Sequence, residues 1–87
     1  LPHSPQDRPR EKLERAGPGA LGDNELLAVL VGHGTAIADA LGVANRLLAA
    51  AGGVHGLARM GTGELSRVAG VGPALASRIR AAVELGR

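Results

Sequence analysis

Apolar residues recur along the chain at helical spacing, and glycine-rich breaks divide it into short segments. The clearest stretch runs from Leu65 to Val83. Leu65 and Val68 stand three apart and share one helical face, while Leu75, Ile79 and Val83 form a 3.6-residue stripe on a second helix. Gly70 stands where a C-terminal glycine ends the first of these helices, because glycine enters left-handed backbone space cheaply. Pro73 suits the first turn of the second helix, where its missing N–H costs nothing. Val71, between Gly70 and Gly72, is placed to tuck its side chain inward, and Ala76 is small enough to let the two helices approach.

The same reading applies along the rest of the chain. Residues 1–7, with Pro2 and Pro5, predict an extended arm. Asp7 or Arg8 caps a first helix opening at Pro9, with Leu13 and Ala16 facing inward. Its Arg8, Arg10, Lys12 and Arg15 alternate with Glu11 and Glu14, as on a solvated face carrying i, i+3 and i, i+4 pairs. A phosphate-contacting patch is the other reading of those bases. Gly17-Pro18-Gly19 ends this helix. Asp23 is a good N-cap for the next, and Gly22 with Glu25 three residues on is the alternative. Glu25–Val31 is apolar almost all round, which predicts a central, buried helix ended by Gly32-His33-Gly34-Thr35. A third helix spans Ala36 to Ala51, with Ile37, Leu41, Ala44, Leu48 and Ala51 on one face and Leu47 beside them. Gly52-Gly53 closes it, and Val54–Met60 is a short helical turn with Leu57 and Met60 in the core. Thr62 caps the helix of Leu65, and the last helix runs from Pro73 to about Leu85 with Ser77, Arg80, Glu84 and Arg87 outward. The predicted fold is all-α: a small compact bundle of about five short helices over residues 8–87.

An internal repeat is visible in this order. Asp23…Glu25-Leu26…Gly32-His33-Gly34…Ala44…Leu47 parallels Thr62…Glu64-Leu65…Gly70-Val71-Gly72…Ala76…Ile79. Each copy reads as cap, short helix, Gly-x-Gly and a helix carrying alanine. Two such units about a pseudo-two-fold axis would form a tandem pair with both hairpins on one side.

Composition narrows the function classes. At 87 residues the chain is one small domain. Phe, Trp and Tyr are absent, so the core is Leu, Val, Ile and Ala, and there is no stacking platform for single-stranded bases. There is no cysteine, which excludes disulfides and thiolate metal sites and favours a reducing, cytoplasmic compartment. No apolar run is long enough for a membrane span, and the N-terminal residues lack a signal-peptide apolar region. The start on Leu1 is expected of a fragment or a processed chain. The net charge is +2, carried almost wholly by arginine, which favours weak attraction to a polyanion.

Candidate catalytic chemistry is sparse. His3, His33 and His55 are far apart, and none pairs with an acid at metal-ligand spacing. Ser4, Ser66 and Ser77 read as arm and helix residues, and the acids read as caps and pairs. The chain is therefore expected to hold no catalytic residue, metal or cofactor and not to be an enzyme by itself.

Leu65, Val68, Gly70-Val71-Gly72-Pro73, Ala76 and Ile79 together resemble the helix-hairpin-helix motif. That resemblance implies backbone N–H groups, at the start of the second helix, gripping a DNA phosphate without reading sequence. The physics agrees, since a glycine turn opening a helix exposes N–H groups at the positive end of the helix dipole. The expected contacts are the amides of Gly70, Val71, Gly72 and Ala74, assisted by Arg67, Arg78 and Arg80. A second, weaker hairpin would use Gly32, His33, Gly34 and Thr35. A simple αα-corner is the alternative. DNA-gripping hairpins often carry lysine or arginine after the Gly-Pro pair; here that position is Ala74, and Arg78 and Arg80 lie one to two turns on.

A wider resemblance covers nearly the whole chain. Arg8-Pro9-Arg10-Glu11-Lys12-Leu13, Gly17-Pro18, Ala20-Leu21, Glu25-Leu26-Leu27-Ala28, Gly34-Thr35, Gly70-Val71-Gly72-Pro73 and Glu84-Leu85-Gly86-Arg87 are together similar to the N-terminal region of the RadC family, UPF0758. The resemblance implies a helical module that precedes a zinc-binding JAB/MPN metallopeptidase-like domain with a Glu, a His-x-His stretch and an Asp. This chain has no His-x-His and is expected to stop short of that domain. The family's naming for DNA repair implies that setting. Two functions follow: a module binding DNA backbone without sequence preference, or a protein-interaction module docking on the metallopeptidase-like domain or another subunit. Self-association is an open alternative for the second.

Overall fold

The structure, a computed structural model, describes residues 9–32 and 37–86. The expected arm, the cap at Asp7 or Arg8, the hairpin residues His33, Gly34 and Thr35, and Arg87 lie outside the described residues. All described secondary structure is helical. The elements are α1 (Pro9–Ala16), a single 3-10 turn (Pro18–Ala20), α2 (Asp23–Val31), α3 (Ile37–Ala51), α4 (Val54–Leu57), α5 (Thr62–Leu65) and α6 (Pro73–Leu85). The chain divides into two units, Leu1–Ala44 and Asn45–Arg87, with the boundary inside α3.

In the first unit Pro9 opens α1 and is buried, whereas Leu13 is half-buried and Ala16 exposed. The inward position thus belongs to the proline at the helix start. Gly17 leaves α1 at φ +82, and the 3-10 turn closes when the Leu21 N–H donates to the Pro18 carbonyl at 3.1 Å. Gly22, not Asp23, is the N-cap of α2. Its N–H donates to Glu25 Oε1 at 3.1 Å. Glycine has no side chain to return the favour, so this is one half of a capping box. Leu27, Ala28 and Val31 are buried, but Leu26 is 38% exposed, so α2 has an outer face. At its end a Cβ on Gly32 would lie 3.3 Å from Ala40 Cβ, so a bare backbone lets α2 close against α3.

The buried face of α3 is Ala40, Val43, Ala44 and Leu47. Leu41, Leu48 and Ala51, expected on that face, are half-buried. Ala44 and Leu47 are buried as expected, and Ala40 and Val43 join them in place of Leu41 and Leu48; the small side chains of Ala40 and Ala44 let a neighbouring backbone come close.

In the second unit α3 ends on Gly52 and Gly53, at φ +76 and +115, and the Gly53 N–H reaches back to the Leu48 carbonyl at 2.9 Å. This is the Schellman pattern, in which left-handed backbone satisfies a late helix carbonyl. Leu57 of α4 is buried. Gly61, not Thr62, is the N-cap of α5, and its N–H donates to Glu64 Oε1 at 3.2 Å. The start of α5 therefore repeats the Gly22–Glu25 arrangement at the start of α2. Helix α5 ends at Leu65, earlier than the Leu65–Val68 spacing suggests. The chain continues through turns in which Val68 N–H donates to Leu65 O and Val71 N–H to Val68 O, at 3.1 and 3.0 Å. Gly70 sits at φ +92, and Pro73 starts α6 behind the N-cap Gly72. Leu65, Val71, Ala76 and Ile79 are buried, whereas Val68, Leu75 and Val83 of the expected apolar faces are half-buried.

Candidate nucleic-acid interface

The start of α6 differs chemically from the starts of α2 and α5. Its first turn holds no acidic residue, whereas α2 has Asp23 and Glu25 and α5 has Glu64. At α2 and α5 the N-cap amide is taken by a glutamate. At α6 the amides of Gly70, Gly72, Ala74 and Leu75 have no hydrogen-bond partner among the described residues, and the first backbone bond of the helix is Ala76 N–H to Gly72 O at 2.9 Å. Pro73 contributes no N–H. Unpartnered N–H groups at the positive end of a 13-residue helix form an anion-attracting surface.

This set differs by two members from the expected one. The Val71 amide leaves it, because its N–H is already donated to Val68 O. The Leu75 amide joins it as the third residue of the helix, a position whose N–H has no intrahelical acceptor in any helix. That rule was available in the sequence once Pro73 marked the helix start.

The arginines separate in the same way. Arg67 is exposed in the turn that follows α5. Arg78 is exposed on α6, four residues beyond Ala74 and so on the same face. Arg80 is half-buried and committed elsewhere: its Nη1 donates to the Ala58 carbonyl at 3.0 Å, and Nη2 lies 4.0 Å from Glu84 Oε1. It ties α6 to the residue that follows α4. Arg46, which no sequence pattern marks, donates from Nε to the Ala69 carbonyl at 3.0 Å, next to Gly70. The contact spans 23 residues, so no local motif carries it.

Charge is divided unevenly between the units. Asn45–Arg87 carries six arginines against two glutamates, a net +4, while Leu1–Ala44 carries four bases against six acids, a net −2. The positive excess of the chain lies in the unit that holds the α5–α6 turn. Of the weaker expected set, Gly32 ends α2 in the acidic unit, and its N–H is donated to Ala28 O at 2.7 Å. His55 is exposed, and no group of three metal-ligating side chains occurs among the described residues. No described helix is long and apolar enough to cross a membrane.

Comparison with known proteins gives this geometry a family. The UPF0758 N-terminal model matches residues 3–77. A UPF0758 protein of Desulforudis audaxviator is 50% identical over 80 residues, covering 92% of this chain and 35% of the relative. One from Chloroflexus aurantiacus is 48% identical over 81 residues, covering 93% of this chain and 35% of its own length. One from Carboxydothermus hydrogenoformans is 48% identical over 80 residues. The chain thus spans about a third of the length of the curated relatives it matches. No solved structure matches it. The family model covers most of the chain, and relatives near one half identical align along nearly its whole length; this chain belongs to the UPF0758 family.

Proposed function

We propose that this chain is a DNA-binding module that holds the phosphate backbone without reading sequence, with α5, the Ser66–Gly72 turn and α6 acting as a helix-hairpin-helix. The observation that carries the reading is the acid-free start of α6, whose Gly70, Gly72, Ala74 and Leu75 amides are unpartnered among the described residues, in a unit of net charge +4. Backbone amides and arginines suit phosphate oxygens, and such contacts position a protein on a duplex but carry no base information. The RadC resemblance gives this activity a DNA-repair setting within a longer protein.

The test is a salt titration of binding to a labelled, sequence-random duplex, run beside Gly72→Glu. A Cβ on Gly72 meets nothing within 4 Å, and its φ of −92 suits any residue, so this variant is expected to fold. The expected result is a log–log slope of roughly −2 to −4 for a few phosphate contacts, with binding lost in the folded variant. Absence of binding at low salt, or undiminished binding by Gly72→Glu, overturns the reading.

A second reading is a docking module for the remainder of a longer UPF0758 protein. It is favoured by Leu85, an apolar side chain 88% exposed at the last residue of α6. A duplex that fails to bind leaves this reading in place of the first.

A further inference from the structure

We propose that Arg46 is the cation of the α5–α6 turn, its guanidinium held at the turn by Nε and presenting its Nη groups to the phosphate that the α6 amides grip. The inference rests on the DNA-backbone reading and names a residue for it that lies outside the motif.

Three observations support it. First, Arg46 reaches the turn from α3: Nε donates to the Ala69 carbonyl at 3.0 Å, one residue before Gly70. Anchoring one N–H of a planar guanidinium leaves the four Nη N–H groups, and these have no partner among the described residues. A guanidinium already ordered by a carbonyl loses little side-chain freedom when an anion arrives. Second, no acid neutralises Arg46 among the described residues, in a unit with only Glu64 and Glu84 as acids. Third, two positions expected to bring charge to the turn do not supply it. The position after Gly72-Pro73 is Ala74, without charge, and Arg80 is committed to Ala58 and Glu84. Arg67 and Arg78 are exposed side chains, while Arg46 is tied to the turn backbone from another helix. The competing account is that Arg46 is only a latch holding Ala69. Latch and cation differ in what salt does to binding, because a latch neutralises no phosphate.

The experiment compares the full chain with Arg46→Gln and Arg46→Lys, using the labelled random duplex across a salt series, with thermal melts on each protein. The expected result is that Arg46→Gln weakens binding about tenfold at low salt, the order of one charge-assisted contact. Its log–log slope becomes shallower by about 0.9, the value for one phosphate contact. Arg46→Lys keeps the wild-type slope, because the charge is retained, while binding a few-fold more weakly without the anchored fork. Adding Ala74→Lys to Arg46→Gln brings the slope back. An Arg46→Gln variant with the wild-type slope, however its melting temperature moves, overturns the proposal and leaves a latch. If Gly72→Glu abolishes binding in that same experiment, only the role of Arg46 fails. If the wild-type chain does not bind, or Gly72→Glu binds as wild type does, the hairpin reading fails and this inference with it.

Discussion

Lys12 Nζ lies 3.2 Å from Glu25 Oε1, the same oxygen that accepts the Gly22 N–H. One carboxylate therefore caps α2 and ties it to α1 across 13 residues of sequence. The Gly22 amide first, then the Lys12 ammonium, holds the Glu25 carboxyl below the ordinary glutamate value. A folded-state value below the unfolded one means a contribution that is complete above the ordinary glutamate range and is lost as pH falls through the folded value. Glu25→Gln is expected to cost about 0.5–1 kcal/mol at pH 7, the scale of a helix cap and a partly exposed ion pair. The gap to wild type should close as pH falls below the ordinary glutamate range and through the lowered folded-state value, where the wild-type carboxylate also takes a proton. Urea unfolding at pH 7 and pH 3 checks this; an equal gap at both shows that charge on Glu25 is not the cause.

Gly56 has a different demand placed on it. A Cβ there would collide with the carbonyl oxygen of Ala51 and sit 3.2 Å from the Ala51 Cβ. Gly56→Ala is expected to destabilise by about 2 kcal/mol or more, because the obstacle is backbone and cannot rotate away. Gly63, inside α5, would meet nothing within 4 Å. Gly63→Ala is expected to stabilise by about 0.5–1 kcal/mol through the lower chain entropy of the unfolded state. Chemical denaturation of the two variants should move in opposite directions.

Leu65 is fully buried between the cap at Gly61 and the turn, whereas Leu85 is 88% exposed. Leu65→Ala is expected to cost about 2–5 kcal/mol, as lost burial and a residual cavity add. A small domain with total stability near the low end of about 5–15 kcal/mol would be largely unfolded at 37 °C by the larger figure. Leu85→Ala should shift stability by less than about 0.5 kcal/mol. Thermal melts followed by helix signal distinguish the two outcomes.

Ala74 is exposed at the second position of α6, beside unpartnered amides. If an anion binds there, Ala74→Lys adds one phosphate contact. Affinity for a random duplex is expected to rise several-fold at low salt, and the log–log slope to steepen by about 0.9. An unchanged slope would show that position 74 does not face the bound backbone.

Most starts and ends of the described helices were legible in the sequence, the early end of α5 at Leu65 excepted, since each depends on one or two residues and their sterics. Pro73 marks the start of α6, and Gly17, Gly52, Gly53 and Gly70 all take positive φ where helices or turns end. The repeated Gly-x-x-Glu starts at Gly22 and Gly61 are local in the same sense, although the capping residue is the glycine and not the Asp23 or Thr62 that follows it. The absence of aromatic and cysteine residues likewise settled the makeup of the core from composition alone. What required tertiary structure was the fate of groups whose partners are distant. Arg80 is drawn to the Ala58 carbonyl across 22 residues, and Arg46 to the Ala69 carbonyl across 23, and neither contact follows from local spacing. The buried face of α3 takes in Ala40 and Val43 and leaves Leu41 and Leu48 half-buried for a related reason. A stripe of leucines says which residues gain by leaving water, but the closest approach of two backbones is set by the smallest side chains at the contact, and that choice is made only when the packed neighbour arrives.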